Sequence, residues 1–173
     1  MHYTLIESPV GALLAVAAEG SLVGLYFVGA AHAPRPAADW RRVDQPAANG
    51  DGSLEHTVLR ATRQQLLEYF AGGRRQFALP LRPVGTPFQS RVWQTLQDIP
   101  YGGTTSYGAM AARLGQPGAA RAVGAANARN PISIVIPCHR AISGDGRLTG
   151  YAGGVERKAA LLALEGSWPK TGP

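Results

Sequence analysis

The first thirty positions alternate short apolar runs with turn residues. Tyr3-Thr4-Leu5-Ile6 leads into the turn cluster Ser8-Pro9-Val10-Gly11, and the runs Leu13–Val16 and Leu22–Val28 follow, parted by Glu19-Gly20-Ser21. Short β-prone runs joined by glycine-containing turns predict an antiparallel meander. Periodicity then fails over 29–52, where Pro, Ala, Gly and Asp dominate, which predicts a long, mobile surface loop. From Ser53 the pattern becomes helical. Leu54, Val58, Leu59, Leu66, Tyr69 and Phe70 fall on one stripe, and Gly72-Gly73 ends it.

Leu79-Pro80-Leu81-Arg82-Pro83-Val84-Gly85 reads as a connector between two domains, giving 1–79, a linker at 80–85, and 86–173. The next helix opens with strong start signals. Thr86 can cap it, Pro87 suits its first position and Gln89 completes a capping box, with Phe88, Val92, Trp93 and Leu96 as its apolar face. Ser106 can cap a short helix to Leu114, Gly115-Gln116-Pro117-Gly118 breaks it, and a second helix runs from Ala119 to about Asn127. Two short helices about a tight glycine turn match a helix-turn-helix, although any αα-corner has that spacing.

The second of these helices is nearly bare. Ala119, Ala120, Ala122, Gly124, Ala125 and Ala126 surround a single long side chain, Arg121. Small residues let a backbone approach another surface closely, either a neighbouring helix or a nucleic-acid groove. Ile132–Ile136 then reads as a buried strand ending in Pro137-Cys138-His139-Arg140. A glycine-rich loop spans 142–154, and a final amphipathic helix runs from about Val155 to Leu164 with Glu165 at its end.

Composition narrows the classes. The 173 residues are 45% hydrophobic and 16% charged, which argues against disorder, and no run approaches a membrane span. The N-terminus lacks the basic and apolar pattern of a signal peptide, so a cytoplasmic protein is the expectation. A single cysteine excludes an intramolecular disulfide and a multi-cysteine zinc site. Charge is uneven: residues 1–85 hold eight basic and seven acidic groups, and residues 86–173 hold nine and four. Fifteen of the seventeen basic residues are arginine, the side chain suited to phosphate, so the second half suits a polyanion.

Cys138 is the natural centre of any chemistry. A lone cysteine is commonly an inert buried hydrophobe. Here a proline ends the run before it, an imidazole and a guanidinium follow at once, and a glycine-rich loop comes next. Basic neighbours of this kind lower a thiol pKa, so a reactive thiol is expected.

Asn130-Pro131 followed by Ile134-Val135-Ile136-Pro137-Cys138-His139-Arg140 closely resembles the active-site signature of the O6-alkylguanine-DNA alkyltransferases, the methylated-DNA–protein-cysteine methyltransferases. Phe88–Trp93, Ile99–Gly102, Ser106-Tyr107, Ala119–Gly124 and Gly150–Gly154 fall in the family's order and spacing, so the resemblance covers about 86–166 and, more loosely, the N-terminal half. It implies an α/β fold in two parts: a small ribonuclease-H-like antiparallel sheet with a helix, and a mainly helical domain with a winged-type helix-turn-helix.

The resemblance also implies site residues. Arg121 would enter the duplex from a helix whose Ala119, Ala120, Ala122 and Gly124 lie against DNA, while the damaged guanine is rotated out of the stack. Tyr107 would assist rotation and give a proton to guanine N3. The carbonyls of Cys138 and Ala141 and the amide of Ala152 would read the base edge, with Tyr151 as a pocket wall. Cys138 would be the nucleophile, His139 would take its proton through water, Glu165 would orient the imidazole, and Asn130 would tie the helix-turn-helix to the active-site turn. Asn127, Ser133 and Ala152 depart from some relatives, and their small size leaves room for larger alkyl groups.

The implied function is direct-reversal repair, moving the alkyl group of O6-alkylguanine, and also of O4-alkylthymine, irreversibly onto Cys138. No second thiol exists to regenerate it, so one turnover per molecule is expected. The expected partner is duplex DNA carrying O6-alkylguanine, with no cofactor, metal or membrane. A monomer is expected, with cooperative assembly on DNA left open. A non-enzymatic binder of alkylated DNA, a helix-turn-helix regulator and a cysteine hydrolase are the alternatives.

Overall fold

The structure is a computed structural model that describes residues 1–43 and 52–167. The chain divides into two compact units, Met1–Val84 and Gly85–Pro173. Residues 44–51, part of the loop expected at 29–52, lie outside the described residues.

The first unit is built on a meander. β1 (His2–Ile6) pairs antiparallel with β2 (Leu13–Ala18), placing Tyr3 opposite Val16, and β2 pairs antiparallel with β3 (Ser21–Phe27), with a bulge at Val16/Ala17. β2 is an inner strand and its first five residues are buried. The stretch read as loop contributes a fourth strand, β4 (Arg41–Arg42), which runs parallel to β1 beside His2 and Tyr3. The sheet is therefore mixed at one edge. Two arginines carry no strand signal by composition, and their place is set by backbone bonds, Arg41 N to Met1 O and Val43 N to Tyr3 O.

Helix α1 (Leu54–Phe70) closes the sheet. Ser53 Oγ accepts from His56 N at 3.2 Å, satisfying one of the donors a helix start leaves open. Val58, Leu59, Thr62, Leu66 and Tyr69 face β1, β2 and β3. Leu54 leaves the expected stripe: it is exposed and lies over the turn at Gly20. The segment read as a linker also does more than connect. Leu22 N donates to Pro80 O and Arg82 N to Leu22 O, so Pro80–Arg82 runs along β3 within this unit. Gln65 fixes the approach by bonding both N and O of Ala78.

The second unit opens with α2 (Pro87–Gln97) and a complete capping box: Gln89 N donates to Thr86 Oγ1 and Thr86 N donates to Gln89 Oε1. Trp93, 1% exposed, donates its indole N–H to Ala126 O at 2.9 Å, which seats α2 on the helix-turn-helix. That motif is α3 (Tyr107–Arg113), capped by Ser106 Oγ on Ala109 N, and α4 (Ala120–Ala128). β5 (Thr105–Ser106) pairs in parallel with β6 (Ala141–Ile142), and α5 (Val155–Leu164) completes the unit.

Ile132–Ile136 is buried as expected, yet it is not a strand. Ile136 N bonds Ile132 O, and Ile134 sits at φ 71°. A β-branched residue in that region is strained by about 1–3 kcal/mol, so its surroundings must hold it. The Asn130 side chain does this: its Oδ1 accepts from Ile132 N, and its Nδ2 donates to Ile136 O at 2.8 Å and to Ile132 O. Periodicity could not distinguish a buried turn from a buried strand, because a short, mostly apolar run fits both.

The caps make a direct prediction. Thr86→Ala removes the oxygen that satisfies Gln89 N and should destabilise the second unit by about 1 kcal/mol, read as a lowered urea midpoint. An unchanged midpoint would mean that the start of α2 is held by Trp93 alone.

Candidate active site

The chemistry gathers on the turn that follows Asn130. Cys138, His139 and Arg140 form one 3-10 turn, all three buried, and it leads directly into β6. The β5–β6 pairing sets Ala141 opposite Thr105 and Ile142 opposite Ser106, so it brings Tyr107, the first residue of α3, to the same end of the unit as Cys138. One short parallel pair thus links two expected site residues that are 31 positions apart in sequence.

The basic neighbours do not act on the thiol as expected. Cys138 is 3% exposed, and burial pushes its thiol above the ordinary range; Asn130, the Lys158 charge and Tyr151 pull the other way without overcoming it. The reason is where the neighbours point. Arg140 turns to Glu165, with Nε to Oε2 at 2.8 Å and Nη2 to Oε1 at 2.9 Å, and donates Nη1 to Ile99 O. His139 Nε2 lies 2.8 Å from Glu165 Oε1.

That last contact fixes the tautomer by elimination. An ionised carboxylate only accepts, so Nε2 carries the proton and the lone pair of the neutral ring sits on Nδ1. Nδ1 is buried and has no hydrogen-bond partner among the described residues. Burial holds the His139 pKa below the ordinary imidazole value, with Glu165 opposing. Glu165 itself is driven down to about 2: although burial pushes it up, its hydrogen bonds to His139 and Arg140 and the Arg140 charge overcome that desolvation. A buried charge survives only when so matched.

A second set of groups centres on Lys158, which the sequence reading missed. Its side chain is fully buried. Nζ donates to Ala141 O and to the Tyr107 hydroxyl at 3.4 Å, and lies 5.7 Å from the Tyr107 ring and 6.0 Å from the Tyr151 ring. Desolvation lowers its pKa to about 8 and raises that of Tyr107 to about 12. The signal was present in the sequence. Lys158 shares a helix face with Leu161, Leu162 and Glu165 at spacings of three, four and seven, and all four are buried.

The remaining expected residues divide. The Cys138 carbonyl accepts from Ala141 N and from Asn127 Nδ2 at 3.3 Å, so reading a base edge requires exchanging one of these donors. Tyr151 is buried and Ala152 half-buried on the glycine-rich loop. On α4, Val123, Ala126 and Asn127 face inward, whereas Arg121, Ala122 and Ala125 are exposed, with Ala119, Ala120 and Gly124 partly so. A Cβ placed on Gly124 would meet nothing within 4 Å. Among the described residues the face of α4 that carries Arg121, Ala122 and Ala125 is therefore open, whereas Ala126 on the other face receives Trp93 of α2. Asn127, noted only as a departure, is 2% exposed and bridges α4 to the thiol-bearing turn.

Two family models match the chain. The 6-O-methylguanine DNA methyltransferase ribonuclease-like domain matches residues 1–83, and the DNA binding domain of the same name matches residues 87–167. The chain belongs to the 6-O-methylguanine DNA methyltransferase family. It is 42% identical over 168 residues to the methylated-DNA–protein-cysteine methyltransferase of Methanosarcina acetivorans, covering 96% of this chain and 99% of that one. The constitutive methyltransferase of Bacillus subtilis is 44% identical over 165 residues, covering 95% and 94%. The fold matches the solved structure of Mycobacterium tuberculosis OGT in complex with DNA at a TM-score of 0.82 and 42% identity, over 98% of this chain and 96% of that one. The α/β architecture and the family inferred from motifs agree with these matches. Among the described residues no helix is long and apolar enough to cross a membrane.

The charge pattern in this family member predicts acid sensitivity. Glu165 has a folded pKa below its unfolded value, so its stabilisation is present above about pH 4.5 and is lost as pH falls toward about 2. His139, held neutral by burial, adds a loss of the same sign below its ordinary pKa. Urea midpoints should fall by the equivalent of about 3 kcal/mol between pH 5 and pH 2. A flat profile would mean that Glu165 is not ionised in the fold.

Proposed function

We propose that this protein repairs alkylated DNA by taking the alkyl group of O6-alkylguanine onto Cys138, with O4-alkylthymine as a second substrate. The observation that carries the reading is His139, locked with its lone pair on Nδ1 and next in sequence to the chain's only thiol. A buried thiol held protonated needs such a base.

Through a water molecule His139 takes the thiol proton, and Glu165 stabilises the imidazolium that results. The sulfur attacks the alkyl carbon, the S–C bond forms, and the C–O6 bond breaks with its electron pair moving into the guanine. Tyr107 protonates guanine N3 as that charge develops. A phenol with a pKa near 12 is a poor donor alone; Lys158, against the same oxygen, compensates the charge left on it. Asn130 holds the strained turn that presents the sulfur. Ala141, Tyr151 and Ala152 would line the base pocket together with Cys138. The Ala152 amide, without an intrachain partner among the described residues, is suited to a base acceptor.

Access to the base comes from α4. Its open small-residue face suits a minor groove, and Arg121, exposed and unpaired among the described residues, suits the gap left by a rotated nucleotide. The product thioether has no good leaving group. The lone thiol fits a reducing compartment, the cytoplasm. One observation favours a second reading, a binder of alkylated DNA with a silent thiol: burial keeps Cys138 protonated at rest.

Intact-protein mass after mixing with duplex DNA bearing O6-methylguanine separates the two. The transfer reading expects a gain of one methyl group by the wild type and none by Cys138→Ser; lesion-selective binding at unchanged mass would establish the binder. Tyr107→Phe should slow transfer by roughly 10²-fold or more. Arg121→Ala should slow transfer from duplex DNA while leaving transfer from the free O6-alkylguanine base unchanged, because a free base needs no rotation. Equal slowing on both substrates would contradict the role given to Arg121.

A further inference from the structure

Arg140 is 7% exposed, and three of its five donors are spent inside the protein on two partners. Nε and Nη2 grip both oxygens of Glu165, Nη1 donates to Ile99 O at 2.6 Å, and the guanidinium lies 5.9 Å from the Tyr101 ring. Oε1 of Glu165 is shared between Arg140 Nη2 and His139 Nε2. An imidazole paired with an unshared buried carboxylate is drawn toward imidazolium, and an imidazolium cannot take a proton. The mechanism above needs the opposite: a ring held by the carboxylate but neutral at rest.

We propose that Arg140 is a positioning residue that divides the Glu165 carboxylate with His139, so that the imidazole is oriented through Nε2 while Nδ1 stays unprotonated and ready for the thiol proton. The inference rests on the function proposed above, and it concerns a residue that contacts neither the thiol nor a base. The charges that bear on the ring are few. Glu165 follows α5, Lys158 lies within α5, and Arg140 shares the ring's own turn. Helix α2, which also packs on the turn, has Arg91 as its only charged residue, and Arg91 is exposed. Of the two cations, Arg140 is the one that also binds the carboxylate. Replacing it therefore removes a repelling charge and releases the carboxylate to the ring, and both changes raise the proton affinity of His139.

The test is an imidazole 15N titration of the full chain as wild type, Arg140→Met and Arg140→Lys. In the wild type, His139 should be the neutral Nε2–H tautomer at pH 7; an imidazolium there overturns the proposal before any variant is made. Arg140→Met should bind the His139 proton at least about tenfold more tightly. Arg140→Lys keeps the charge without the fork, so it should titrate within about twofold of the wild type while transferring methyl more slowly. Equal titration of all three proteins, or a Lys variant shifted as far as Met, overturns the proposal. If Arg140→Met does not fold, Arg140→Gln, which also removes the charge, takes its place: tighter proton binding at His139 than in the Lys variant is expected, and equal titration of the Gln, Lys and wild-type proteins overturns the proposal. Methyl transfer is measured on the same samples. A wild type that titrates as expected but transfers nothing sinks the proposed function, whereas transfer with an unmoved titration sinks only the role of Arg140.

Discussion

A buried carboxylate needs donors on every side, and Glu165 organises the second unit by acquiring them. His139, Arg140 and the Gly102 amide converge on its two oxygens. They come from the thiol-bearing turn and from the loop after α2, while Glu165 itself ends α5. Satisfying one charge therefore fixes three segments against one another. Arg140 is the one cation among them, and removing it would take away the counter-charge of a buried carboxylate, an effect on the order of 3–5 kcal/mol. Gly102 is part of the same constraint: it has φ 78°, and a Cβ there would stand 3.1 Å from the Glu165 carbonyl oxygen.

In the mechanism proposed, the arrangement separates two proton tasks that a single cluster could not perform. On one side a carboxylate, shared with a guanidinium, holds an imidazole whose free nitrogen accepts. On the other, a lysine with its pKa brought down to about 8 lies against a tyrosine raised to about 12, a pair able to deliver a proton as negative charge appears. Cys138 is protonated at rest because it is buried. A thiol in that state resists adventitious oxidation, since thiolate character and exposure govern that chemistry. Reactivity then depends on the relay and on arrival of the substrate.

Much of this was legible in the sequence, for reasons that can be named. Helix starts at Ser53, Thr86 and Ser106 were readable because capping is local chemistry, and all three caps are made. The meander followed from turn residues at short spacing. The family was legible because Asn130–Arg140 and the motifs around it resemble its signature in order and spacing, and the family models match the chain. What escaped depended on tertiary contacts. Ile132–Ile136 turns because the Asn130 side chain replaces a strand partner. Arg140 serves a carboxylate 25 positions away rather than the adjacent thiol. Arg41–Arg42 joins a sheet through backbone bonds to which composition is blind. Lys158 could have been found, since a lysine on the apolar face of a helix has to be paired or functional.

A sulfur joined to carbon as a thioether leaves nothing for water or a second thiol to reverse, and the chain holds no other cysteine. On the function proposed, each molecule is consumed by the lesion it repairs. The most direct test counts guanines restored per protein molecule when methylated duplex is supplied in tenfold excess. The account predicts a rapid rise that stops at one per molecule. Continued restoration beyond one would require a route that releases the alkyl group from Cys138, and it would contradict the account at its centre.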